Sequence, residues 1–185
     1  MELIFKGLVV FTIIQRLLEL ILAKKNEAYI ISQGGQVLPE KNYIFMVLLH
    51  TSWLLSLTYL AFFTELTFSP ISAVFFILLF FCGQSFRLSA IFTLGKRWST
   101  RVMILPEAPV IKSGLFKVIR HPNYVGVVLE IAALPLVAGF WEVAAVFSLL
   151  NAVILYFRIK FEEQMLSKHN DYSIYKENLL RGEGK

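Results

Sequence analysis

The sequence predicts an all-α integral membrane protein of about five transmembrane helices, and three observations carry that reading. Mean hydropathy is +0.65, with 57% hydrophobic and 17% charged residues. Soluble domains run at about half apolar and about a quarter charged. Four stretches, 3–23, 43–63, 69–94 and 124–157, hold almost no charge. Basic residues fall in alternate connecting segments.

The first stretch exceeds a usual signal-peptide core, has no basic start and runs into Lys24 and Lys25 with no Ala-x-Ala site. It is therefore expected to remain as helix 1. Arg16 and Glu19 lie three apart and can pair on one face. Both are expected to snorkel towards the cytoplasmic interface. Helix 2 is expected over 43–63 and helix 3 over 69–94. Arg87, two turns before the end of helix 3, is read in the same way as Arg16. Cys82 is the single cysteine, so no internal disulfide is available, and it is expected to be a small buried apolar residue. The last stretch suffices for two short helices. Pro135, Gly139 and Trp141 near its middle predict a tight hairpin of 124–137 and 140–157.

Between helices 3 and 4 lies an unusually long connection, 95–123, broken by Pro106, Pro109, Gly114 and Pro122. A long ordered loop of this kind is where a site is expected. The tail, 158–185, is expected to continue helix 5 and then to lie in water or at the interface. The whole chain reads as one membrane domain, with N-terminal spans over 1–94 and the loop, hairpin and tail over 95–185.

Charge placement orients the chain. Segment 24–42 holds Lys24, Lys25 and Lys41, and segment 95–123 holds Lys96, Arg97, Arg101, Lys112, Lys117 and Arg120. The tail adds Arg158, Lys160, Lys168, Lys176, Arg181 and Lys185. Segments 62–69 and 136–142 hold none. The positive-inside rule then puts the N-terminus outside and the long loop on the cytoplasmic face. This bias accounts for the net charge of +5 with the bilayer as partner and without nucleic acid. The histidines His50, His121 and His169 are too scattered to suggest a metal site.

Three polar clusters fall at that face: Lys112-Ser113-Gly114-Leu115-Phe116, then Arg120-His121-Pro122-Asn123-Tyr124-Val125-Gly126, then Arg158-Ile159-Lys160-Phe161-Glu162-Glu163 with Tyr172 and Tyr175 beyond. Arg158 and Glu162 share a helix face, and the hairpin makes the second and third clusters neighbours. Over about 95–180 the pattern resembles the isoprenylcysteine carboxyl methyltransferase family of integral membrane enzymes. The resemblance rests on Gly114, Arg120, His121, Pro122, Tyr124, Gly126, Arg158, Glu162 and Glu163. Phe116 stands where that family usually has Tyr, and Ala108 where it often has His.

The resemblance implies S-adenosyl-L-methionine as cofactor, surrounded by Ala108, Pro109, Val110, Ile111, Phe116, His121, Pro122, Asn123 and Tyr124. It implies that Glu162 holds the cofactor's amino group and that Arg158 stands at the transfer site. Chemistry is compatible: a carboxylate suits an ammonium, and aromatic faces suit adenine or a sulfonium. Gly126 would allow close backbone approach. Arg120 can equally be a positive-inside anchor. Glu163 points to another helix face than Glu162 and is expected to pair with the loop. Glu130, a carboxylate within helix 4, either faces the site or pairs with Arg87 or Arg16.

Methyl transfer from a sulfonium needs mainly positioning and desolvation of the nucleophile. Arg158 is the residue expected to orient an acceptor oxygen by parallel hydrogen bonds. The expected acceptor is lipophilic, either a prenylated cysteine carboxylate or a ring oxygen of a long-chain alkylpyrone or alkylresorcinol. The latter goes with the likeness of Gln15-Arg16-Leu17-Leu18-Glu19-Leu20 and Lys24-Lys25-Asn26-Glu27 to small bacterial members linked to type III polyketide synthases. Three alternatives stay open. Sterol-type membrane reductases share an Arg-His-Pro-Asn-Tyr core, but follow the Gly with an acidic residue where this chain has Val127. Phospholipid N-methylation shares the cofactor and architecture. A non-catalytic scaffold explains the helices but not the polar clustering. The acceptor and the oligomeric state stay open.

Overall fold

The computed structural model describes residues 1–40, 42–106 and 108–181. Lys41 and Lys185, counted above among the basic residues, lie outside them. Among the described residues the chain forms six α-helices: α1 (Glu2–Ser32), α2 (Tyr43–Phe63), α3 (Pro70–Leu94), α4 (Pro122–Leu136), α5 (Trp141–His169) and α6 (Tyr172–Leu180). Two short strands, β1 (Gln36–Val37) and β2 (Met103–Ile104), pair antiparallel and tie the α1–α2 loop to the long α3–α4 loop. Among the described residues the basic segments fall at this end of the bundle, where α1, α3 and α5 end and α2 and α4 begin.

Three helical segments, Tyr43–Phe63, Pro70–Arg97 and Trp141–His169, are long and apolar enough to cross a membrane. Helix α1 is long enough, but Lys6, Arg16 and Glu19 interrupt it. At 15 residues α4 is about 22 Å long, short of the about 30 Å hydrocarbon layer. The hairpin lies where the sequence puts it. Pro135 ends α4, and Gly139 turns the chain with φ of 75°.

One helix outruns expectation. Helix α1 continues nine residues past 23, so Lys24 and Lys25 are helical rather than in a loop. Its Lys-Asn-Glu-Ala stretch is helix-compatible, and the first breaker is Gly34-Gly35. Helix α5 carries on to His169 as expected, but α6 then packs with Tyr172 and Tyr175 buried instead of lying free.

The apolar core joins α1, α2, α3 and α4 through Phe5, Trp53, Leu57, Phe80, Ile131 and Leu134, with Phe147 and Ile154 of α5 packed against it. Large apolar side chains such as Leu3, Phe63, Ile71, Phe92 and Leu149 face outward, as a lipid-facing surface requires. Cys82 is exposed on this surface, not buried as expected, because periodicity marks an all-apolar helix without saying which face meets protein.

Helices α3 and α4 touch through glycine. A Cβ at Gly126 would lie 2.5 Å from Arg87 Cγ and 2.6 Å from the Gly83 carbonyl oxygen. The close approach that Gly126 permits is therefore to α3, not to a cofactor. Arg87, expected to snorkel, instead lies buried in this crossing. It pairs with Glu19 and, through Nε at 3.4 Å, with Glu130. Arg16 completes the cluster, 2.9 Å from Glu19 and 2.5 Å from Glu130. Gln15 donates to Glu19 at 2.9 Å and to Gln84 at 2.7 Å.

Two substitutions test this crossing in the detergent-solubilised protein. Gly126→Ala is expected to cost about 1–3 kcal/mol by overpacking. Glu130→Gln should cost about 3–5 kcal/mol by stranding a buried arginine charge. Both are read from unfolding midpoints, and unchanged midpoints would show that neither contact bears on stability.

Candidate functional site

The α3–α4 loop is built from short pieces fastened at both ends. A single 3₁₀ turn follows α3, and Asn26 of α1 donates to the Gly95 and Trp98 carbonyls at 3.1 and 2.8 Å. A second 3₁₀ turn, Gly114–Lys117, starts at Gly114 with φ of 57°. There a Cβ would fall 2.8 Å from Thr93 Oγ1. Pro122 then opens α4, a position where its missing N–H costs nothing.

Beneath the loop lies a cavity of about 350 Å³, within the usual range for small-molecule sites. Its lining runs from Tyr172 and Tyr175 at the α6 end to Arg16, Glu19 and Leu54 inside the bundle. Of the cofactor residues expected from sequence, Ala108, Val110, Ile111 and Phe116 line it from the loop. His121, Pro122, Asn123 and Tyr124 line it from the start of α4, and Arg158 and Glu162 from α5. Arg120 also borders it. Pro109 does not; its carbonyl accepts from Arg97 Nη2 at 2.7 Å. Glu163 and Glu130 lie outside the lining, and Glu130 belongs to the buried cluster of α1, α3 and α4.

Two polar networks shape the cavity. In the first, Tyr124 Oη donates to Glu162 Oε2 and accepts from Arg158 Nε at 2.8 Å. Arg158 Nη2 donates to the Thr100 carbonyl at 2.7 Å. Its Nη1 lies 3.0 Å from Glu40 Oε2 and 3.2 Å from Oε1. Arg158 therefore pairs with Glu40, not with Glu162 four residues on. Burial pushes the Glu40 carboxyl above its ordinary pKa despite Arg158. Glu162 has no ion-pair partner among the described residues and takes only the Tyr124 hydroxyl.

In the second network Glu163 gathers the loop and tail. Arg120 reaches it at 2.5 Å, Lys176 at 2.6 Å and Tyr172 Oη at 3.3 Å. His121 Nε2 is 3.1 Å from Glu163 Oε1, and a carboxylate only accepts, so that nitrogen carries a proton. Burial pushes the Tyr172 phenol well up, with Glu163 adding to it, so Oη stays a donor. The His121 ring stacks on Tyr124, with centroids 5.3 Å apart. Tyr175 Oη donates to the Phe116 carbonyl at 2.6 Å, so α6 holds the backbone beneath the Phe116 ring.

The junction of α5 and α6 holds segment 105–112. Asn170 donates to the Leu105 and Ala108 carbonyls at 3.2 and 2.6 Å. Asp171 accepts the Val110 N–H at 3.0 Å and pairs with Lys112 at 3.4 Å. Sequence reasoning missed Asn170, Asp171, Glu40, Thr100 and His50. The Asn-Asp pair just before α6 is a helix-start signature that could have flagged the first two. Nothing in sequence joins Glu40 to Arg158, 118 positions away.

Residues 73–168 match the isoprenylcysteine carboxyl methyltransferase (ICMT) family. The chain is 31% identical to YpbQ of Bacillus subtilis, described as uncharacterized, over 88% of this chain and 96% of that protein. It is 28% identical to an uncharacterized protein of Haemophilus influenzae, over 82% of this chain and 88% of the other. No solved structure matches at a significant level.

The Val110 N–H bond, followed by a further lowering from Lys112, holds the Asp171 carboxyl below the usual range. A lowered acid pKa means the bond is intact above about pH 4 and is lost as pH falls through the lowered value. Asp171→Ala is expected to speed Val110 amide exchange by about tenfold at neutral pH. Exchange at the wild-type rate would show that the segment is held without Asp171.

Proposed function

The chain belongs to the isoprenylcysteine carboxyl methyltransferase family, and we propose that it is an O-methyltransferase that uses S-adenosyl-L-methionine to methylate a lipophilic acceptor from the bilayer. Five spans, with the N-terminus outside and the site at the cytoplasmic face, fit the gathering of basic segments at one end.

One observation carries this reading: Glu162 faces the cavity as a carboxylate without a cationic partner among the described residues. Such a group suits the ammonium of an amino acid moiety. The rest of the wall fits the same cofactor. Asn123 Oδ1 is buried with no hydrogen-bond partner, which suits a ligand N–H. Phe116 and the stacked His121–Tyr124 pair offer faces for adenine. Phe116 lacks the hydroxyl usual in the family, but its ring and its anchored carbonyl remain.

Bound S-adenosyl-L-methionine would supply an activated methyl group. The chain's part is to orient and to exclude water. Tyr124 is held between Arg158 and Glu162, so its ring is fixed. Glu163 ties Arg120 and His121, at the start of α4, to Tyr172 and Lys176 of α6. The acceptor class is a prenylated cysteine carboxylate or a long-chain alkylpyrone or alkylresorcinol oxygen, with its chain along the apolar wall of Val47, Leu54, Val127 and Leu155.

Calorimetry on the detergent-solubilised protein tests the reading, with S-adenosylhomocysteine and NADPH titrated separately. Saturable binding of S-adenosylhomocysteine alone is expected. Glu162→Gln should weaken it by about 10–100-fold, the loss of one charge-assisted contact. Binding of NADPH alone would replace the reading with a reductase, and binding of neither would leave a scaffold.

A further inference from the structure

Besides the cavity, α4 and α5 leave a second hollow between them, a groove of about 500 Å³. Val125, Val128 and Leu129 form one wall, at spacings that share a helix face. Ala152, Tyr156 and Ile159 form the other in the same way. Val128, Ala152 and Tyr156 are exposed, so the groove opens on the lipid-facing surface. Arg120, His121, Tyr124 and Leu155 border both the groove and the cavity. A single layer of side chains therefore separates the two.

Charge gathers at the end of the groove where α4 begins. Arg120 lies there, 2.5 Å from Glu163, which also takes Lys176 at 2.6 Å. On the α5 side Lys160 is exposed, with Nζ 4.7 Å from the Tyr156 ring centroid and no ion-pair partner among the described residues. Even with Glu162 counted, Arg120, Lys160 and Lys176 outnumber the two carboxylates. From Pro122 to Leu129 the α4 wall runs about 10 Å, a third of the hydrocarbon layer. That is a short track for a partner helix, but it matches the first part of an acyl chain below its headgroup.

We propose that this groove holds one anionic phospholipid, with its phosphate at Arg120 and Lys160 and the first part of one acyl chain between α4 and α5. A phosphate takes charge-assisted hydrogen bonds from an ammonium and from the N–H groups that Glu163 leaves free on the guanidinium. The apolar walls shape the site, but any bilayer chain wets them equally. Selection therefore comes from the headgroup charge. Because His121 and Tyr124 back onto the groove, the lipid packs behind the cavity wall and steadies the first turn of α4. The inference goes beyond the methyltransferase reading and stands without it.

The test titrates phosphatidylglycerol and phosphatidylcholine of identical acyl chains into the full chain in detergent, read by native mass spectrometry. One phosphatidylglycerol should be retained about tenfold more tightly than phosphatidylcholine. Lys160→Gln should cut that preference to about twofold, since one basic residue near the surface is worth about fivefold. Phosphatidylglycerol with a photoreactive group near the head of one chain should label 125–129 and 152–159, and Ala152→Phe should remove that label. Amide exchange of Asn123, Tyr124 and Val125 should slow with phosphatidylglycerol and not with phosphatidylcholine. Equal retention of both lipids, a preference unchanged in Lys160→Gln, label spread evenly over the lipid-facing helices, or unchanged exchange would overturn the inference. Loss of the lipid to added glycerol phosphate would overturn it in favour of a free-anion site. A lipid-free dimer would overturn it in favour of a second copy in the groove. Should Ala152→Phe not fold, the wild-type label pattern and Lys160→Gln decide it.

Discussion

Arg16, Glu19, Arg87 and Glu130 meet where α1, α3 and α4 cross, with Glu130 fully buried and Arg87 only 3% exposed. A lone charge at that depth would cost several kcal/mol. Two of each sign cancel, but only in one register of the three helices. The stem of Arg87 also lies over Gly126, where no side chain would fit. Gly126 is four residues past the proline that opens α4. Neutralising the cluster thus fixes where α4 begins, and with it His121, Asn123 and Tyr124. The site inherits its geometry from an ion-pair cluster, three of whose members, Arg16, Glu19 and Arg87, also line the inner end of the cavity.

The loop above is held differently. Among the described residues its regular structure is two 3₁₀ turns and a two-residue strand pairing, too little to order it alone. Order comes from side chains that reach backbone carbonyls and N–H groups: Asn26, Arg97, Asn170, Asp171 and Tyr175. Three of the five, Asn170, Asp171 and Tyr175, come from the α5–α6 junction and α6, so the tail is part of the site wall. Helix α6, nine residues long, is below the length at which an isolated helix persists. Its buried Tyr172 and Tyr175 fasten it to the loop, and each stabilises the other.

Much of this was legible in the sequence. The breaks at Pro106, Pro109, Gly114 and Pro122 marked the irregular loop, and Pro135 with Gly139 marked the hairpin. The hairpin alone brought Arg120–Tyr124 beside Arg158–Glu163. What stayed hidden was partner choice. Spacing of four puts Arg158 and Glu162 on one face, but the pairing that forms is with Glu40, across 118 residues. Arg87 near a helix end looks like an interfacial anchor until α1 and α4 supply carboxylates opposite it. Cys82 reads as buried and lies exposed, because a helix apolar all round has no preferred face to read. Periodicity reports which residues share a face; it does not report what lies against that face.

The same limit explains why Arg158 reads differently in the folded chain. As a motif residue it is a free guanidinium awaiting an anion. In the structure its donors are spent on Glu40, Thr100 and Tyr124, all fixed by separate elements. A guanidinium with three internal partners is rigid, and its planar fork holds the Tyr124 ring at a set angle. Its contribution to the cavity is then position more than charge. Each cation deep in the wall has its carboxylate, and Glu162 keeps an oxygen free of any ion pair. An apolar chain can lie against that inner wall, while nearer the loop Arg97, bonded to the Pro109 carbonyl, and Arg101, over the Tyr43 ring, border the cavity without a carboxylate partner among the described residues. Paired charges inside and a carboxylate free of any ion pair at Glu162 suit the charged donor and greasy acceptor of the proposed methyl transfer.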